Sequence, residues 1–364
     1  MATLLFPTVQ LLTIMRLTRR RLVSTVAGTV GLGAVAGCAG GADGTQRTET
    51  ERSVAQSSFF VFGDLTADVA GDAAAAELLV PVGQHGHGWE PGPRVREAIS
   101  AADLFVHGMA GFQPWVDRIV PDLGADGSDV LAVDASAGVE LLDAGADHEH
   151  DSHADGEHTD DSHDEDDEDA HEEEEHTEGH DEEGHAGAVD PHFWMDPLRL
   201  VTAVDTVRKR LVDVDPGNAD EYTANADDVQ ERLEELHGRI EAVVAEGSTD
   251  LILVAGHNSF RYFGERYGVT VEALTDVAPD DRTTTRDIER ARQLVDEHGL
   301  RYVCADPLES QRAAEQLVAE TDAEAVLPLT AMPGLTRAWD DEGWGYVDIV
   351  ENVNLPTLER ALGE

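Results

Sequence analysis

Basic side chains are scarce in this 364-residue chain: 25 Lys and Arg stand against 75 Asp and Glu, for a formal charge of -50. Lys209 is the one lysine. A chain so short of cations is a poor partner for nucleic acid, whose phosphates are held by Lys and Arg. Cysteine is nearly absent as well, with Cys38 and Cys304 alone. Beyond the N-terminal region only Cys304 remains, which excludes an intrachain disulfide framework and a Cys-based zinc ribbon. Any metal site must then use His and carboxylates. Long apolar runs are missing too. The stretch from Ser24 to Gly37 falls short of the roughly 20 residues that a membrane-spanning helix needs.

What is present in excess is negative charge, and it is spread widely. Residues 147–185 hold 21 acidic side chains and no basic ones; setting them aside still leaves 54 acids against 25 bases. Such self-repulsion disfavours compaction unless salt screens it, and near 1 M salt the screening length falls to about 3 Å. The composition therefore points to a high-salt environment and to an affinity for cations. With 41% apolar residues, there is ample material for a core, in two domains or one large α/β body.

The N-terminus reads as an address, spanning residues 1–38. Thr18-Arg19-Arg20-Arg21-Leu22-Val23 resembles a twin-arginine export signal, and the small-residue end of the apolar run leads to Val35-Ala36-Gly37-Cys38, which looks like a lipobox with Cys38 as the lipidated residue. Met15 is a candidate true start. An uncleaved short anchor is the alternative, and both readings put the folded part outside the cell. Residues 39–56, rich in Gly, Thr, Glu and Ser, are expected to form a flexible tether.

From residue 58 short apolar runs alternate with amphipathic ones. Strands are expected at Phe59–Phe62, Leu78–Val80, Leu104–Val106 and Val130–Val133, and helices at Thr66–Ala76, Pro93–Ala101 and Gln113–Val120. This is the rhythm of a parallel sheet with crossover helices. Residues 147–185 break the rhythm. Asp, Glu, His, Gly, Ser and Thr dominate there, and the segment is expected to be disordered because it has almost nothing apolar to bury. Asp196-Pro197 then opens a helix to about Val212. Asp215-Pro216 opens a longer one to Glu246, with Val229, Leu233, Leu236, Ile240 and Val243 at spacings of three and four. A second half follows, with strands at Leu251–Val254, Val269–Leu274, Tyr302–Cys304 and Ala325–Leu327. Its helices are expected at Ser259–Tyr267, Thr284–His298, Arg312–Glu320 and Tyr346–Leu362. The expected fold is α/β in two lobes, each a parallel sheet flanked by helices. An N-terminal lobe over 57–214 and a C-terminal lobe over 248–364 are joined by one long rigid helix over 215–247.

Sixteen histidines carry the chemistry. Nine lie in the acidic run: His148, His150, His153, His158, His163, His171, His176, His180 and His185. They offer many weak, fluctuating His/carboxylate sites, suited to gathering metal. His237 and His298 sit among charged neighbours and are expected to be solvated. His87 and His257 each follow a strand, where open α/β sheets place ligands, and His192 precedes a helix. Each is flanked by turn-forming Gly or Pro. Three imidazoles suit Zn²⁺.

Several stretches carry a resemblance. Gly83-x-x-x-His87-x-x-Glu90-Pro91-x-Pro93, Ala102 through Gly108, Phe112-x-Pro114-Trp115, Asp190-Pro191-His192-Phe193-Trp194-Met195-Asp196-Pro197 and His257 through Gly268 resemble the zinc and manganese substrate-binding proteins of ABC importers, the cluster A-I group. Pro279–Thr285, Cys304–Pro307 and the long helix match in place. The resemblance implies a lipid-anchored monomer on the outer face of the cytoplasmic membrane. It would hand Zn²⁺, or alternatively Mn²⁺, to a membrane permease, with His87, His192 and His257 as ligands. Asp190 and Asp196 are candidates to orient His192, with a helix cap as the other reading of Asp196. Ala331 stands where the family often has an Asp ligand, so the fourth position is open to water, His85 or a carboxylate of the acidic loop. A stand-alone metal buffer and a zinc hydrolase are the rivals from other classes, and the chain lacks an HExxH motif or a nucleophile elbow.

Overall fold

The computed structural model describes residues 52–125, 127–144, 189–277 and 283–363. The export signal with Cys38, most of the tether, the acidic run with its nine histidines and part of Pro279–Thr285 lie outside the described residues. Among the described residues no helix is long and apolar enough to cross a membrane.

The first half opens one element earlier than its apolar pattern suggests. Strand β1 is Val54–Ser57, which takes in the last residues of the expected tether. Phe59–Phe62 is not a strand, since helix α1 runs Phe60–Ala70 and stops at Gly71 with φ of 54°. An unbroken apolar run fits a buried helix as well as a buried strand, and here Phe60, Val61, Phe62, Leu65 and Val69 are all buried. Strand β2 follows at Ala75–Leu78, inside and just beyond the expected helix. Then come α2 (Pro93–Ser100), β3 (Leu104–His107), α3 (Pro114–Ala125) and β4 (Leu131–Asp134). All pairings in this sheet are parallel, in the order β2-β1-β3-β4.

Helix α4 (Pro197–Val214) starts where Asp196 accepts from the Leu198 N–H and Pro197 takes the first helical turn. Helix α5 (Ala219–Glu246) has 28 residues, or about 42 Å at 1.5 Å per residue. Its buried stripe is Tyr222, Ala226, Val229, Leu233, Leu236 and Ile240.

The second half repeats the plan with β5 (Leu251–His257), α6 (Arg261–Tyr267), β6 (Thr270–Thr275), α7 (Thr285–His298), β7 (Tyr302–Ala305), α8 (Arg312–Glu320) and β8 (Ala325–Pro328). Its strands are again parallel, in the order β6-β5-β7-β8. A short helix α9 (Arg337–Glu342) was not evident from the sequence pattern. The expected C-terminal helix is divided into α10 (Tyr346–Ile349), a π-turn over Val350–Asn354 and α11 (Leu355–Leu362). Pro356 lies just past that turn; it has no N–H to give to an α-helical ladder, which favours the interruption.

One apolar cluster runs through both halves. Phe59, Phe62 and Trp194 belong to it, as do Leu233 and Ile240 of α5, Ile252 and Val254 of β5, and Leu329 and Met332. Each half also has a smaller satellite core on its outer side. A shared core of this kind resists wide hinge motion, because separating the halves would expose it.

Candidate metal centre

His87, His192 and His257 come together between the halves. Their ring centres are 5.3 Å apart for His87–His192, 5.2 Å for His192–His257 and 6.0 Å for His87–His257. Three imidazoles on a tetrahedral ion, with bonds of about 2.05 Å, would have donor nitrogens about 3.3 Å apart and ring centres about 5.2 Å apart. The observed His192 Nε2–His257 Nε2 separation is 3.3 Å. Among the described residues no group of three or more His, Cys, Asp or Glu is placed to hold a metal ion as the side chains stand. Both edges that meet at His192 have the ring-centre spacing of an ion-bound pair, and the His87–His257 edge would have to shorten for all three rings to share one ion.

Each ring is placed by its own local structure. His257 ends β5, past a register irregularity between Val254 and His257. His192 sits in a buried turn before α4. Asp190 Oδ1 accepts from both the backbone N–H and Nδ1–H of His192, at 2.9 and 2.8 Å. Tyr262 of α6 donates its O–H to the Asp190 carbonyl at 2.7 Å, and Trp194 donates Nε1–H to the Ala331 carbonyl at 2.8 Å. The loop carrying His87 is held against the second half by Gly83 N–H to Leu335 O at 2.7 Å and Gly86 N–H to Pro333 O at 2.6 Å. Gly86 is required there, because a Cβ would meet the Phe59 ring at 2.6 Å and the Pro333 carbonyl at 2.8 Å.

The electrostatics favour a cation. Asp190 can only accept from His192 Nδ1, which leaves Nε2 as a bare acceptor. Glu309 Oε1 does the same for His257 Nδ1 at 3.2 Å. Two lone pairs then face each other, with Ser259 Oγ 3.0 Å from His257 Nε2 as a neighbouring donor. His87 is 7% exposed, packs edge-on against Phe59 and Phe112, and has no hydrogen-bond partner at either ring nitrogen. Burial, aided by the neighbouring His192, His85 and His257, pushes the His87 pKa well below the ordinary histidine value. Burial also lowers that of His192, against the opposing pull of Asp190. Neutral, partnerless imidazole nitrogens in an aromatic box suit a metal ion that needs deprotonated ligands.

The other sequence candidates divide. Asp196 is not hydrogen-bonded to His192. Its oxygens accept from Leu198 N–H at 3.0 Å, Arg199 at 3.2 Å and Arg266 at 2.7 Å, so it caps α4 and ties that helix to α6. His85 stands at the rim. Its ring centre is 5.1 Å from His87 and 6.5 Å from His257, and its Nε2 faces Glu309 at 3.5 Å. Ala331 is buried and its carbonyl is taken by Trp194, so that loop offers no side-chain ligand. His298 is exposed as expected. His237 is half-buried instead, because Tyr267 covers its ring and lies 3.1 Å from Nδ1.

Sequence reasoning missed Glu309. It sits in the loop after β7, shaped by Asp306, which accepts from Leu308 N–H at 2.8 Å and Thr330 Oγ1–H at 2.6 Å. Burial would raise the Glu309 pKa, but hydrogen bonds from His257 and His85 outweigh it and hold the carboxyl at about 2. The strand-end rule that singled out His257 applies equally to this loop. A cleft of about 750 Å³, lined by His85, Trp89, His257, Thr284, Glu309 and Arg312 among others, opens beside the centre.

Two parallel α/β lobes with three histidines drawn together between them define a two-lobed α/β protein of the binding-protein class. The chain belongs to the family described as ZnuA, zinc-uptake complex component A, periplasmic, whose model matches residues 56–361. It is 25% identical over 305 residues to the high-affinity zinc uptake system protein ZnuA of Bacillus subtilis, covering 84% of this chain and 86% of that protein. It is 28% identical over 267 residues to the manganese-binding lipoprotein MntA of Halalkalibacterium halodurans, covering 72% and 73% of the two. Among solved structures, the Zn(II)-bound ZnuA-like domain of Streptococcus pneumoniae AdcA shares the fold, with a TM-score of 0.65 at 21% identity over 86% of this chain and all of that domain.

Proposed function

We propose that this chain is the extracytosolic metal-capturing component of an ABC importer and that its cargo is zinc, held by His87, His192 and His257. The observation that carries the reading is the 3.3 Å edge between two carboxylate-oriented imidazole nitrogens, with a partnerless buried imidazole beside it. Its relatives named for zinc uptake and for manganese binding support a divalent cation. The all-nitrogen donor set favours zinc over manganese, which prefers oxygen ligands. The ion enters from the open cleft and meets three neutral rings. The shared core and α5 limit closure to a small tilt. The loaded form then docks on a membrane permease. Cys38 is the proposed lipid anchor, reached through the twin-arginine-like signal. The nine histidines from His148 to His185 gather metal near the mouth, and the acidic surface suits a high-salt exterior.

Metal analysis of the purified chain, with His87, His192 and His257 changed singly to Ala, tests the assignment. One tight zinc equivalent should be lost or severely weakened in each variant, with manganese bound more weakly than zinc throughout. Undiminished tight zinc binding in the His192→Ala protein would falsify it.

A further inference from the structure

Among the described residues the three-histidine centre has no carboxylate ligand, yet a divalent ion brings two positive charges into a buried place. Three neutral imidazoles do nothing to offset them. Ala331 supplies no side-chain charge from its loop, and His85 is turned towards Glu309. The nearest fixed negative charges stand behind the rings: Asp190 at Nδ1 of His192, and Glu309 at Nδ1 of His257.

We propose that Glu309 is the positioning and charge-compensating carboxylate of this centre. It fixes His257 with Nε2 bare and aimed at the ion, in parallel with Asp190 behind His192. This rests on the zinc reading above and extends it to a residue outside the three ligands.

Four observations carry the proposal. Glu309 Oε1 lies 3.2 Å from the His257 nitrogen that faces away from His192, whereas His257 Nε2 lies 3.3 Å from His192 Nε2. A carboxylate hydrogen-bonded to the non-ligating nitrogen of a metal-binding histidine sets both its tautomer and its orientation. The fit is close: a Cβ at Gly256, next to His257, would meet Glu309 Oε2 at 2.7 Å. The loop is built to hold this pose, with Glu309 N–H donating to Asp306 O at 3.0 Å and Gln311 Nε2–H to the same carbonyl at 2.6 Å. The same Oε1 also faces His85 Nε2, so Glu309 keeps His85 at the rim and leaves the fourth corner of the ion to an exchangeable ligand from the cleft.

The test uses the full chain with Glu309→Ala and Glu309→Gln. In metal-free protein, ¹⁵N NMR of labelled histidine reads the His257 tautomer, which does not depend on any metal. The wild type should show Nδ1–H, and E309Q should keep it through its amide oxygen. E309A should lose that bias. Zinc competition with a chromophoric chelator should show E309A about 10–100-fold weaker and E309Q in between. X-ray absorption of the zinc forms should show the same nitrogen donors in all three proteins. An unchanged tautomer in E309A overturns the proposal, as does unchanged affinity. Loss of an oxygen donor from the zinc spectrum of E309A would overturn it too, by making Glu309 a ligand. If zinc were not the cargo at all, the tautomer measurement would still decide the role of Glu309.

Discussion

Replacing His87 with Leu should make the metal-free protein more stable while abolishing its tight zinc site. His87 is 7% exposed, and neither ring nitrogen has a partner. An unsatisfied buried polar group costs about 1–3 kcal/mol, and a neutral imidazole brings one donor and one acceptor. Leucine is of similar size and removes both. Lost edge contacts with Phe59 and Phe112 take back about 0.5–1.5 kcal/mol each. The balance is a gain of about 1–3 kcal/mol, a few degrees in melting temperature for a body of this size. The effect must grow with acidity. His87 has a lowered pKa in the fold, so below about 6.5 the unfolded chain binds a proton that the folded one refuses, and the wild type loses stability as pH falls. Asp64 and Asp306, pushed up by burial to about 7 and 6, act in the opposite direction in both proteins and cancel in the difference. Calorimetry in EDTA across pH 7 to 5, at fixed salt, should show the stability gap in favour of H87L widening as pH falls. With excess zinc the order should reverse, since ligand at 100 times Kd adds about 2.7 kcal/mol to a protein that binds it. A metal-free H87L less stable than wild type at every pH would mean that the ring is there for packing and not for metal.

Asp196→Ala should destabilise the fold by about 3 kcal/mol or more in denaturant melts. It removes a partner of Arg199, which keeps Glu265 and the Glu140 carbonyl, together with the Arg266 contact and the α4 cap; a loss under about 1 kcal/mol would contradict that role. Asp190→Asn should keep the fold and the His192 orientation, because its amide oxygen can still accept from the His192 backbone and ring N–H, and should weaken zinc by up to about 10-fold by isothermal titration through loss of the negative charge behind the ring. Deleting 147–185 should cost extra equivalents of bound zinc in equilibrium dialysis but leave one tight site; disappearance of the tight site would make that segment a primary source of ligands.

Much of the architecture was legible from local patterns. The 3.6-residue stripe of α5, the Asp-Pro start of α4 and the apolar runs of β5 to β8 encode their own elements, because helix periodicity and capping depend on neighbours in sequence. The same locality misled at Phe59–Phe62, where an unbroken apolar run suits helix and strand alike, and at Val54–Ser57, whose Gln56 and Ser57 hide a buried strand behind polar names. The three histidines were identifiable by their places at strand ends and turns. Their convergence to one centre was a matter for packing across the two halves, since His87 and His257 are brought together by hydrogen bonds and apolar contacts between distant segments. Glu309 shows the limit most plainly. In an acidic chain one more glutamate on a loop carries no mark of its own, and only the folded loop beside Gly256 turns its carboxylate onto His257.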